Sequence, residues 1–297
     1  MNTPTTVAPP VEIRQLLASA TRALTPCGNG GLVWHLWGRD SVAHPPVVLF
    51  HGGSGSWTHW LRNIEPLADT GRRVLAADLP GFGDSAPPVQ GRDADALPEP
   101  LEAGLKILLG AQACDLVGFS FGGMTAGCLA AQYPERVNRL VLVGAPGLGV
   151  ASRRTVKLTP WRPLTDASQQ EAVHRQNLAA LMLLHPESIT DLAVQLHVAN
   201  VLRDRMKGRS LAYTDALVRA LHQVQCPVDA IYGRADALYR GRLDVLAEAL
   251  RAAPDFKGLQ LIEDAGHWVQ FERPQTFNTA LLAVLNDNLH PDPLVHQ

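Results

Sequence analysis

The sequence predicts an α/β protein: a mostly parallel, twisted sheet with helices on both faces and one helical insertion. Three observations carry this prediction. Short runs rich in Val, Leu and Ile alternate with longer stretches of helical periodicity. One of them, "PPVVLFHGG", is a short continuous apolar run of the kind a strand covered on both faces needs. One interval, from Leu148 to Gln223, breaks the alternation and holds helical patterns only.

In chain order, "VEIRQLLASATRAL" spaces Val11, Leu16, Leu17, Ala20 and Leu24 as one face of a helix. The strand-like runs "GLVWHLWG" and "PPVVLFHGG" follow, then "RRVLAAD", "ACDLVGF", "RLVLVGA", "VDAIYG" and "LQLIED". Helix-like stretches separate most of them, namely "WLRNIEPLAD", "LEAGLKILLG", "GMTAGCLAAQYPERV", "RLDVLAEALRAA" and "PQTFNTALLAVLNDNL". Within the insertion, "QNLAALMLLHP" and "SITDLAVQLHVANVLRDRM" read as helices, broken by "TPWRPLT". The expected organisation is a core over residues 1–147 and 224–297, with the insertion at 148–223. The Pro-containing start and "HPDPLVHQ" at the end read as frayed termini.

Composition excludes several classes of function. With 26 Lys and Arg against 28 Asp and Glu, and 18% charged residues, the chain lacks the basic footprint of a nucleic-acid binder. Four scattered cysteines, Cys27, Cys114, Cys128 and Cys226, form no C-x-x-C pair, which argues against a zinc site or a disulfide framework. The first residues lack a basic start and an apolar core, and no window has the uncharged length of a membrane span. The expectation is a cytoplasmic protein with reduced thiols and no membrane anchor.

The chemistry concentrates in "GFSFGG", residues 118–123, where a strand hands over to a helix. Small residues favour any tight turn, but G-x-S-x-G in this context fits a nucleophile turn with Ser120 at its tip. Serine needs a base to accept its proton, and the base needs a third group to orient it. His267, just past the strand "LQLI", is the candidate base, and Asp236, just past "VDAIYG", the candidate acid. Asp264 and Asp229 compete with Asp236, which is preferred for its place at the carboxyl end of a strand. "HGGSGSW" at 51–57 offers oxyanion donors, with the Gly53 N–H pairing that of Phe121. His51 is read as a support for this loop rather than as the base. No G-K-[ST] closes the glycine run, so it is not a phosphate loop.

Together these segments resemble the α/β-hydrolase superfamily from about Trp34 to Leu285: "HGGSGSW" its oxyanion loop, "DLPGFGDS" the loop after its third strand, "GFSFGG" its nucleophile elbow, and "GRAD" and "GHWVQFERP" its acid and histidine loops. A serine nucleophile sets the chain apart from the dehalogenases and epoxide hydrolases of that fold, which carry aspartate there. The resemblance implies that the insertion is a substrate-selecting cap. "GHWVQFE" with "GAPGLG" is most similar to the meta-cleavage product hydrolases, which break carbon–carbon bonds in vinylogous diketones. Two departures stand against that branch: it typically has a longer Gly-Pro oxyanion loop, and often a small polar residue where this chain has Phe119. A cap arginine grips the substrate carboxylate in that branch, a role the resemblance suggests for Arg203 or Arg205, with Asn200 on the same helix face.

The expected activity is hydrolysis of small carboxylic esters or related acyl compounds by Ser120, His267 and Asp236, with no metal or organic cofactor. Trp57 and Trp268 are expected beside the substrate. Carbon–carbon hydrolysis is the alternative, since the same triad serves both. A third reading is a non-catalytic binding protein of this fold. The resemblance also allows a homodimer.

Overall fold

A computed structural model describes residues 9–41, 43–151 and 156–286. Its single sheet has eight strands: β1 (Thr21–Cys27), β2 (Gly30–Trp37), β3 (Val47–Phe50), β4 (Val74–Ala77), β5 (Cys114–Phe119), β6 (Val137–Val143), β7 (Val228–Gly233) and β8 (Phe256–Ile262), in the order β1-β2-β4-β3-β5-β6-β7-β8. β1 and β2 pair antiparallel, β2 meets β4 antiparallel, and every later pairing is parallel. The helices are α1 (Val11–Ala18), α2 (Ile64–Ala68), α3 (Pro98–Leu109), α4 (Phe121–Gln132), α5 (Ala167–Asn177), α6 (Asp191–Leu202), α7 (Ala216–Leu221), α8 (Leu243–Leu250), α9 (Val269–Glu272) and α10 (Pro274–Asn286).

The apolar runs of the central sheet, β3, β4, β5 and β7, become strands buried on both faces, whereas edge strand β8 is mostly only half-buried, and alternate residues feed two cores. Val48, Phe50 and Leu116 enter one cluster, while Val47, Leu49, Val117 and Phe119 enter the other. α3 starts at a proline in its first turn and buries Leu101, Leu105 and Leu109 at four-residue spacing.

One expected element is replaced. The helix expected over 11–24 ends at Ala18, and Thr21–Cys27 is a strand instead. Its residues alternate, with Thr25 and Cys27 buried and Leu24 59% exposed, where the helical reading buried Leu24. The signal was "CGNGG": Gly28, at φ +53°, and Asn29 turn the chain so that Cys27 pairs with Gly30 and Thr21 with Leu36. At the other end, α10 stops at Asn286, and the remaining residues of the helix expected there lie outside the described residues, as does most of each frayed terminus.

Between β6 and β7 the described residues form helices and turns and no strand. α5 runs into a π turn at Leu178–Met182, a feature frequent at functional positions. α7 packs back on α4 rather than over the sheet's edge, so the final part of the 148–223 interval rests on the core.

Candidate active site

β3, β5, β7 and β8 all end on the same edge of the sheet, and each is followed by one piece of the site. This is where open α/β sheets place their ligands. Ser120 lies between β5 and α4 with φ +51° and ψ −120°, a conformation that a non-glycine residue holds only when its surroundings impose it. Here its N–H donates to the Val143 carbonyl at 2.7 Å, and its own carbonyl accepts from Gly123 and Met124 at 2.8 and 3.2 Å. The turn also brings α4 against the end of β3. A Cβ on Gly122 would fall 2.4 Å from the His51 carbonyl oxygen, so only glycine fits.

Ser120, His267 and Asp236 meet. His267 Nε2 lies 2.9 Å from Ser120 Oγ, and His267 Nδ1 lies 2.8 Å from Asp236 Oδ2. A carboxylate can only accept, so Nδ1 carries the proton and Nε2 faces the serine as a lone pair. Asp236 is fully buried, and its second oxygen accepts the Leu238 N–H at 2.9 Å. The tyrosines beside it, Tyr232 and Tyr239, both donate to the Ala145 carbonyl. Burial first, and the Asp236 charge among the further causes, hold both phenols far above the ordinary tyrosine range, so they stay neutral. The competing acids are elsewhere: Asp229 lies in β7 and pairs with Arg139, and Asp264 occupies a left-handed turn position.

The two oxyanion candidates also converge. Phe121 opens α4, so its N–H has no acceptor within the helix and sits at the positive end of the helix dipole. A Cβ placed on Gly53 would lie 3.5 Å from the Phe121 Cβ. The neighbouring Gly52 N–H is already taken, donating to His59 Nδ1 at 3.1 Å, whereas the Gly53 N–H finds no acceptor among the described residues.

Two buried histidines, His51 and His59, support this loop. His51 bonds through both ring nitrogens, Nδ1 to the Gly52 carbonyl at 2.7 Å and Nε2 accepting from Leu79 N–H at 2.9 Å, which leaves no lone pair for a substrate. Burial lowers its pKa to about 4. His59 is likewise held well below the usual range by burial. Buried neutral histidine makes the unfolded state the better proton acceptor between about pH 6.5 and pH 4, so stability falls as pH falls through that window, by about 1.4 kcal/mol per pH unit per group. Urea midpoints at pH 7 and pH 5 should therefore differ less in His51→Gln than in wild type. Equal differences in the two proteins would refute this role for His51.

Four expected substrate contacts are placed elsewhere. Arg203 pairs with Asp84 at 3.0 Å, and Arg205 donates to the carbonyls of Phe82, Gly83 and Ser85. Both line a surface groove with Gly31 and Asp84, where exposed loop carbonyls and a carboxylate satisfy them. Asn200 does lie beside Arg203, whose Nη2 donates to its Oδ1 at 3.4 Å, but it is buried and bonded to Ser56 and Thr58. Trp57 packs in the core against Trp37 and His35. Trp268 stacks on Phe271 and donates its indole N–H to the His59 carbonyl at 3.0 Å, behind the histidine loop rather than in front of it. The space over Gly53 is a separate cavity of about 350 Å³ between the 51–57 loop and the insertion, bordered by Ser54, His59, Met182, His197 and Asp204. Among the described residues no cluster of His, Cys, Asp or Glu is arranged to hold a metal, and no helix is long and apolar enough to cross a membrane.

The insertion is bonded to the histidine loop. Glu272, in α9, accepts the N–H groups of Leu184 and His185 on one oxygen at 2.8 and 2.9 Å, and that of Gly266 on the other at 2.7 Å. Trp268 N–H donates to the Met182 carbonyl at 2.7 Å, at the end of the π turn. Nothing in "ERP" distinguishes this carboxylate from a solvated one, and sequence reasoning missed it, as it missed His59 and Asp204.

Residues 45–274 match the family described as alpha/beta hydrolase fold. A 2-hydroxy-6-oxononadienedioate/2-hydroxy-6-oxononatrienedioate hydrolase from Cupriavidus pinatubonensis is 30% identical over 256 residues, covering 81% of this chain and 86% of that protein. A 2-hydroxy-6-oxo-6-phenylhexa-2,4-dienoate hydrolase from Burkholderia cepacia is 27% identical over 258 residues, covering 83% and 89%. Among solved structures, the carboxylesterase CesB from Bacillus subtilis superposes with a TM-score of 0.75 at 21% identity, over 92% of this chain and 95% of its own.

Proposed function

Since the chain belongs to the alpha/beta hydrolase family, we propose that it is a serine hydrolase that passes the acyl group of a small carboxylic ester to water through a covalent intermediate on Ser120. The observation that carries this reading is the unbroken hydrogen-bonded series from Asp236 through His267 to Ser120. Ser120 Oγ attacks the ester carbonyl while His267 Nε2 takes its proton, and Asp236 stabilises the imidazolium. The carbonyl oxygen, now an oxyanion, is held by the Gly53 and Phe121 N–H groups. Collapse expels the alkoxide, which receives the proton from His267. Water, deprotonated by the same nitrogen, then attacks the acyl-enzyme and releases the carboxylic acid and the free serine. Residues 148–223 serve as the cap that shapes the cavity.

Two observations favour an ester. Phe119, before the nucleophile, packs against His267 with ring centroids 5.0 Å apart and offers no polar group. Arg203 and Arg205, the arginines expected to grip a carboxylate, are both bonded away from the cavity, whose own cations are Arg162 and Lys207. Carbon–carbon hydrolysis is the second reading, favoured by the names of the curated relatives. Those relatives are hydrolases, which weighs against the ligand-binding reading. Short p-nitrophenyl esters and a 2-hydroxy-6-oxodienoate, followed by absorbance with the same preparation, separate the two activities. Faster turnover of the ester supports the first reading and faster turnover of the dienoate replaces it with the second. Turnover of neither by folded protein overturns both.

A further inference from the structure

Gly53 is followed by Ser54 at φ +50°, a left-handed conformation that costs a non-glycine residue energy unless something holds it. What holds it comes from the insertion. Ser54 Oγ donates to Asp204 Oδ2 at 2.5 Å and accepts from Arg209 Nη2 at 3.3 Å. Arg209 grips both oxygens of Asp204, Nη1 to Oδ1 at 3.0 Å and Nη2 to Oδ2 at 2.9 Å, the planar fork matching the carboxylate. Nη1 also donates to the Met206 carbonyl at 2.7 Å, and the next residues are fixed to the core, since Asp93 accepts the N–H groups of Ser210 and Leu211.

The same guanidinium touches both halves of the oxyanion site. Its Nη2 lies 3.6 Å from where a Cβ on Gly53 would be, and its carbon stands 5.4 Å from the Phe121 ring centroid and 5.0 Å from that of Phe82. The pair is largely shielded, with 22% and 13% of the two side chains exposed, so the geometry persists with little competition from water.

We infer that Asp204 and Arg209 are positioning residues of the oxyanion site: their ion pair clamps Ser54 in its left-handed conformation and so sets the direction of the Gly53 N–H. This rests on the serine mechanism proposed above. A small misdirection of a donor matters because its contribution is made in the transition state, where geometry is strict.

The test compares wild type, Arg209→Met, Arg209→Lys, Ser54→Gly and the Ser54→Gly/Arg209→Met double variant on a p-nitrophenyl ester. It also measures inhibition by an alkyl boronic acid, whose serine adduct is tetrahedral. Arg209→Met is expected to lower kcat about ten- to a hundredfold with KM within about twofold, and to weaken the boronate by a similar factor. Arg209→Lys, which keeps the charge without the fork, should fall between. In the Ser54→Gly background, where glycine holds the turn without a clamp, Arg209→Met should cost distinctly less than it does in wild type. Independent, multiplicative effects, or a loss confined to thermal stability or KM, would overturn the inference. Ser120→Ala separates the two levels. If it stays active, the serine mechanism itself fails. If it is inactive while Arg209→Met keeps its kcat, only the clamp fails.

Discussion

Ser120→Ala is expected to reduce ester hydrolysis to nearly the uncatalysed background, by about 10⁶-fold in kcat if the triad acts as one unit. The size follows from geometry rather than from serine as a residue type. Ser120 Oγ faces a base whose lone pair is already directed at it, 2.9 Å away. Removing one oxygen leaves His267 with nothing to deprotonate and the acyl group with nothing to join. Because Ser120 adopts its conformation through backbone bonds to Val143, Gly123 and Met124, the alanine variant should fold with the same turn. Equal circular dichroism and melting curves for the two proteins would show this. Residual ester hydrolysis within tenfold of wild type would refute the acyl-enzyme mechanism.

Asp236→Asn should cost about 10⁴-fold in kcat, roughly 5 kcal/mol of barrier. The asparagine occupies the same volume in a fully buried site, so the loss reports electronic structure rather than packing. Its amide presents either a donor to His267 Nδ1, forcing the proton onto Nε2 and abolishing the base, or an oxygen that no longer balances the imidazolium. The Leu238 N–H, which donates to Oδ1, favours an oxygen at that position and therefore turns the NH₂ toward His267. A proton-detected NMR signal for the His267 ring should move from Nδ1 to Nε2. Asp229→Asn is the control: its carboxylate pairs with Arg139, so it should leave kcat within a few-fold of wild type. A larger loss at Asp229 than at Asp236 would reverse the assignment.

The inner strands of the parallel sheet were legible because burial on both faces leaves a continuous apolar run, as in Val47–Phe50 and Val74–Ala77. The three residues proposed as a triad were legible because each lies just past the carboxyl end of a strand, β5, β7 or β8. β1 was not, because an edge strand with one solvated face carries few apolar residues, and those of Thr21–Cys27 also suit a helix continuing from α1. The substrate contacts were misplaced for a different reason. An arginine's reach is long, and sequence cannot tell whether its fork finds a substrate, as expected for Arg205, or three loop carbonyls, as it does. Likewise Trp268 follows His267 directly, but adjacency in the chain turned its ring toward Phe271 instead of the cavity.

The bond between the insertion and the histidine loop has a consequence for how this protein can diversify. Glu272 recognises main-chain N–H groups of residues 184 and 185, which every amino acid except proline supplies. The attachment therefore survives almost any change of side chain at those two positions, while the residues facing the cavity drift to suit new chemistries. A lineage could replace most of the insertion's surface and keep its seat beside His267, provided the backbone path at the junction is preserved. The junction constrains shape and leaves spelling free.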